Sequence, residues 1–173
     1  MNDSLTIYKK AMALRKKEYR SLEELISMLG ILLYERDNFS TLLGLYTAKM
    51  HQRVILLNSR VEGFIRLMVL AHEIGHDQLH RHYASCSFLQ EETLFFKGDR
   101  IEYEANAFAA HLLIDEKEMM MYLRFGMSVE DAAKNLGVDV NLLLIKLKEM
   151  KNMGMDLALP FEPDAMFFAN YNI

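Results

Sequence analysis

Residues 61–80 read VEGFIRLMVLAHEIGHDQLH, and the run His72-Glu73-Ile74-Gly75-His76 lies inside them. No proline interrupts the stretch, and Phe64, Ile65, Met68, Val69 and His72 recur at helical spacing, which predicts one helix from Val61 to about His80. Residues four apart on a helix share a face, so His72 and His76 can present ring nitrogens to one ion, about 2 Å from each. Glu73 then sits beside that face and off the metal, where a carboxylate can serve as general base toward water. With six histidines in 173 residues, chance placement yields a His-Glu-x-x-His run about 2% of the time. The bland alternative is a helix with two histidines that bind nothing. Gly75 argues against it, because a mid-helix glycine costs about 1 kcal/mol relative to alanine and is tolerated where something approaches closely.

A catalytic zinc site takes three protein ligands and leaves a fourth position open. Twenty-six residues beyond His76 comes Glu102-Tyr103-Glu104-Ala105-Asn106-Ala107-Phe108-Ala109-Ala110, which reads as a second helix able to cross the first. Glu102 and Asn106 are four apart and share a face, so one can bind metal while the other hydrogen-bonds a ligand histidine. Glu104 points elsewhere on the wheel. His80 stacks one turn beyond His76, but three positions on one helix span roughly 12 Å, too far for a single ion, which gives it a packing or hydrogen-bonding role.

At these residues the chain resembles the ImmA/IrrE family of zinc metallopeptidases, through the His72–His76 run and the segment Glu102 to Leu113, with the Glu-x-x-x-Asn/Asp pattern of other gluzincins. The resemblance implies His72, His76 and Glu102 as ligands of Zn²⁺, Glu73 as general base and Asn106 as the supporting residue, with Glu104 held in reserve as third ligand. It is specific from about Arg60 to Leu113 and general in the flanks. The family's usual Leu-Leu-x-Pro ending departs here to Ile114-Asp115, which concerns a helix end more than the chemistry. By the same resemblance the expected function is zinc-dependent cleavage of a specific protein, a cognate helix-turn-helix transcriptional repressor of a phage or mobile element. The rival reading is a non-catalytic regulator that binds a repressor or DNA, with structural zinc or none.

Working outward, Ser4 to Arg20 reads as an amphipathic helix with Leu5, Tyr8, Met12 and Tyr19 inward. Ser21-Leu22-Glu23-Glu24 is a capping box opening a second helix that Gly30 ends. Ile31 to Arg36, Leu42 to Lys49 and Arg53 to Asn58, punctuated at Asp37-Asn38 and Met50-His51-Gln52, predict a small antiparallel sheet. Residues 81–99 lack a clean period and are assigned to a loop. Helices resume at Ile101 to Ile114 and at Ser128 to Leu136, and Asp139 caps a last helix to about Met150. The fold class is therefore α+β: a mostly helical, zincin-like domain over residues 1–115 with a small antiparallel sheet, and a helical C-terminal extension over 116–173 packed on it. Residues 128–151 resemble a helix-turn-helix with Gly137-Val138 at the turn. Their four lysines meet four acidic residues, whereas a groove-reading helix should be basic, so direct nucleic-acid binding is not expected.

Composition is that of an ordinary globular chain, 51% apolar and 25% charged. One cysteine, Cys86, allows no internal disulfide, and the first twenty residues lack the apolar segment of a secretory signal, so the expected compartment is the cytoplasm, with no membrane segment. Residues 1–60 carry ten Lys/Arg against six Asp/Glu and the remainder ten against eighteen, placing the basic end at the N-terminus, where Lys9, Lys10, Arg15, Lys16, Lys17 and Arg20 read as a solvated helix face. His51, His82 and His111 read as surface or core residues, and Tyr83 and Tyr103 as packing rather than oxyanion donors. Cys86 reads as an inert small hydrophobe and Met119-Met120-Met121 as core filler. The tail, with Phe161, Phe167, Phe168 and Tyr171, is expected to pack on the body rather than lie across a cleft.

Overall fold

A computed structural model describes residues 2–49, 52–85, 91–157, 159–164 and 166–171, with side chains outside 83–99, 169 and 170. His51 and Cys86 lie outside the described residues, as does the Tyr83 side chain. Helix α1 spans Ser4–Arg15 and begins at Asp3, whose carboxylate accepts from the Thr6 N–H at 2.6 Å. It stops short of the expected Arg20, and its inward face is Ile7, Ala11 and Leu14, whereas Leu5 is exposed. Tyr8 and Met12 sit at the flanks of that face. Two of the basic residues turn inward: Lys10 donates to the Gln78 carbonyl and Arg15 to the Ile114 carbonyl and Asp115.

Helix α2 (Leu22–Met28) is capped by Ser21, and Gly30 follows its end in the left-handed region at φ 70°. Strands β1 (Leu32–Arg36), β2 (Gly44–Lys49) and β3 (Gln52–Asn58) form one sheet in the order β1-β3-β2. The pair β2–β3 is antiparallel as expected, but β1 pairs β3 in parallel, so the sheet is mixed rather than antiparallel. The reason lies in the connection between β1 and β2. The buried Asn58 donates to the carbonyls of Phe39 and Leu42, and its backbone N–H bonds Leu43, holding that connection across the end of β3 and leaving β3 the central place. Hydrophobic alternation marks strands but does not choose their neighbours. Tyr46 and Ala48 of β2 and Ile55 and Leu57 of β3 are buried, and β2 packs on the helix that follows the sheet.

That helix, α3, runs from Gly63 to Ser85, and α4 from Glu91 to Leu113. The loop expected over 81–99 is thus largely helical, with Gly98 inside α4. The Gly98-Asp99 pair looks like a turn signal but is overridden by its helical neighbours, at a cost of about 1 kcal/mol. Asp115, after Ile114, caps α5 (Glu116–Arg124) by accepting from the Lys117 and Glu118 N–H groups, which starts the helix without a proline. Met119 is buried and Met121 exposed. Helix α6 (Val129–Leu136) ends at Gly137, φ 65°, and Asp139 caps α7 (Val140–Asn152). The helix-turn-helix outline is present, but α7, the helix that would read a groove, buries Leu142 through Leu147 and Met150 against α4 and α1 and serves as core. A 3-10 turn, Phe167–Asn170, closes the described chain. Among the described residues no helix is long and apolar enough to cross a membrane.

Candidate metal centre

Helices α3 and α4 cross at Gly75. A Cβ there would lie 3.0 Å from the Ala105 carbonyl oxygen, 3.1 Å from Ala105 Cα and 3.3 Å from Phe108 Cβ, so the glycine permits backbone contact between the two helices. This is the close approach its position in the sequence predicts. The crossing brings Glu102 of α4 to the histidines of α3: His72 Nε2 lies 3.1 Å from Glu102 Oε2, His76 Nε2 lies 3.4 Å from Glu102 Oε1, and the two Nε2 atoms are 2.9 Å apart. Among the described residues His72, His76 and Glu102 form a group able to hold a metal ion, one ligand atom from each falling within 4.8 Å of the others. Glu104 does not join them. It accepts from Asn2, Arg100 and His80 instead.

The hydrogen bonds behind this triad test whether a cation suits it. His72 Nδ1 lies 2.7 Å from Asn106 Oδ1, an acceptor, so Nδ1 carries the proton and Nε2 turns its lone pair inward. Nitrogen lone pairs and a carboxylate converging on one point repel unless a positive charge lies among them, and two imidazoles with one carboxylate is a zinc donor set. Protonation follows the same preference. Burial works against charge on His72, but the adjoining carboxylates of Glu102 and Glu73 outweigh it and hold its pKa above the usual histidine value. Burial pulls His76 below that value. Burial works against charge on Glu102 too, yet the adjoining His72 and His76 rings keep it well below the usual carboxylate range, ionised and ready to ligate.

Glu73 is buried beside the triad and accepts from the Tyr46 backbone N–H of β2. Burial, with the Glu102 charge adding to it, pushes its pKa up to about 7 against the opposing pull of His72 and that N–H, a value suited to taking and returning a proton near neutrality. Strand β2 comes this close because of Gly44: a Cβ there would lie 2.7 Å from Val69 Cγ1 and 2.9 Å from Glu73 Oε1. Behind the site, Asp77 is fully buried and accepts from Tyr46 Oη at 2.8 Å, Arg53 Nη1 at 3.1 Å and Arg81 Nη2 at 3.0 Å, while Arg53 also donates to the Leu29 carbonyl. The network ties α3 to β2, β3 and the end of α2, and the sequence reading passed over it.

The remaining candidates fall elsewhere. Tyr103 donates to the buried Glu149 of α7 at 2.8 Å, in keeping with a packing role. His111 is buried, edge-on to the Tyr8 ring and 2.8 Å from Lys146 Nζ, and His82 is exposed. The tail packs on the body, as expected. Phe167 is buried, Tyr171 donates to Asp139 at 2.6 Å, and the Phe168 ring meets the His72 ring edge-on at 5.2 Å, so the tail packs on the body and walls one side of His72.

With this geometry in place, comparison with known proteins gives two findings. Residues 27–148 match the IrrE N-terminal-like domain of the M78 peptidases. The chain is also 33% identical, over 150 residues, to the uncharacterized immunity region protein 2 of Bacillus phage phi105, an alignment covering 85% of this chain and 94% of the relative.

Proposed function

Since this chain belongs to the M78 peptidase family, with its IrrE N-terminal-like domain spanning residues 27–148, we propose that it is a zinc-dependent endopeptidase that cleaves a specific protein. The observation that carries the reading is the convergence of His72, His76 and Glu102 beside the buried carboxylate of Glu73, which is not among the metal-holding group. A purely structural zinc has no need of such a carboxylate and usually fills its fourth position with Cys or His.

His72, His76 and Glu102 would hold the ion, which would supply Lewis acidity toward a peptide carbonyl and an attacking water. Glu73 accepts the proton of that water and delivers it to the departing amine. Among the described residues β2 pairs only with β3, and the main-chain groups of its outer edge that Glu73 does not take can align an extended peptide by hydrogen bonds. The substrate we propose is a helix-turn-helix repressor of a phage or mobile element, the reading that the phage immunity-region relative supports. The protein would then relieve repression by destroying the repressor.

The test is incubation of the purified protein with the repressor encoded beside it. A discrete cleavage product is expected, abolished by chelator and by Glu73→Gln, with zinc binding of the variant retained. Full cleavage by Glu73→Gln would end the mechanism.

A further inference from the structure

His76 has its own chain of support, separate from that of His72. Its Nδ1 lies 3.2 Å from Nδ1 of His80, one helical turn on, and His80 Nε2 lies 3.2 Å from Glu104 Oε2. The two rings are 5.3 Å apart and tilted by 55°, an arrangement that directs nitrogen toward nitrogen rather than stacking the faces. His80 and Glu104 are both buried. Glu104 is itself anchored, accepting from Arg100 Nε at 3.0 Å and from Asn2 Nδ2 at 2.8 Å.

The direction of each hydrogen bond follows from the end of this chain. A carboxylate anchored by a guanidinium and an amide can only accept, so His80 Nε2 carries a proton and donates to Glu104. A neutral imidazole has one N–H, so His80 Nδ1 is an acceptor, and the proton between the two Nδ1 atoms belongs to His76. With its proton on Nδ1, His76 turns the bare Nε2 toward Glu102 and His72. Asn106 achieves the same for His72 in one step. We propose that His80 and Glu104 are positioning residues that fix the tautomer and ring orientation of His76 through a two-membered relay. The proposal rests on the metal-site reading above. It gives roles to a third histidine and a second glutamate that the ligand set leaves over.

Zinc affinity, measured by competition with a chromophoric chelator, reads the relay without reference to catalysis. His80→Phe keeps a ring of similar size but removes the acceptor, and a 10- to 100-fold loss of affinity is expected, the usual effect of deleting a partner behind a metal ligand. His80→Asn places a carbonyl oxygen where Nδ1 stood, as Asn106 does for His72, and should recover most of that affinity. Glu104→Gln no longer dictates which nitrogen of His80 carries the proton, and a smaller loss than that of His80→Phe is expected. Urea unfolding in excess chelator monitors the fold of each variant apart from zinc. Wild-type affinity in His80→Phe, or a loss in His80→Asn as large as in His80→Phe, overturns the relay. Failure of the wild type to cleave, with the zinc series as expected, overturns the peptidase reading and leaves the relay standing; failure of the wild type to bind zinc overturns both.

Discussion

Replacing Gly75 by alanine sets two effects against each other, and their magnitudes decide the outcome. In an open helix interior the change stabilises by about 1 kcal/mol. Here the new methyl would stand 3.0 Å from the Ala105 carbonyl oxygen and 3.1 Å from Ala105 Cα, backbone atoms that no rotamer change can move aside. Relief requires α3 and α4 to part by a few tenths of an ångström, and overpacking of this kind costs about 1–3 kcal/mol. The net expectation is a loss of up to about 2 kcal/mol, read as a lower urea midpoint at unchanged m in the presence of chelator. The same movement draws Glu102 away from His72 and His76, which ride on the opposite helix, and metal–ligand distances tolerate only about 0.2 Å. Zinc affinity should therefore fall at least tenfold. A variant about 1 kcal/mol more stable than wild type, binding zinc equally well, would show that the helices do not touch at this residue and would refute the account of the crossing.

Gly44→Ala places a methyl 2.7 Å from Val69 Cγ1 and 2.9 Å from Glu73 Oε1, so it should displace the base and lower kcat by roughly 100-fold while zinc affinity holds; equal kcat in the variant refutes the contact. Lys146 is buried with Nζ 2.8 Å from His111, and burial pulls its pKa from 10.5 down to about 8. The folded state thus binds its proton less tightly than the unfolded chain, and stability should rise with pH between about 8 and 10.5, by roughly 3 kcal/mol at most, relative to Lys146→Met measured across the same range. Parallel pH profiles for the two proteins would show that the ammonium is not desolvated.

The histidine pair, the carboxylate beside it and the crossing helix were legible because each is a local pattern: i, i+4 spacing, a buried-looking apolar run before it, and a glycine in mid-helix. The three strands were legible for the same reason, and their order was not. Their pairing depends on Asn58 reaching the carbonyls of Phe39 and Leu42, a contact between residues whose types say nothing about each other. The inward face of α1 was misjudged in part: Leu5 is exposed although it is the more hydrophobic residue, and the small Ala11 is buried with Ile7 and Leu14 in a helix that packs on α4. The Asp77 network was illegible for a related reason: Arg53 and Tyr46 look like ordinary strand residues until the sheet is laid on α3.

Glu102 and Glu104 are two residues apart yet both serve the histidine row, and the helix wheel explains how. At about 100° per residue, with Ala105 at the point of contact, Glu102 and Asn106 lie on one flank of α4, roughly 60° and 100° away, and Glu104 lies about 100° away on the other. On α3, His72, His76 and His80 advance by about 40° at each step, so the row slants across the crossing rather than running along one flank. Its first members meet Glu102 and Asn106, and its last meets Glu104. Gly75 against Ala105 brings the backbones close enough for side chains as short as asparagine to span the gap. The tight crossing and the slanted row together set Glu102 against His72 and His76 and Glu104 against His80, and neither could exchange places with the other without rotating the helix.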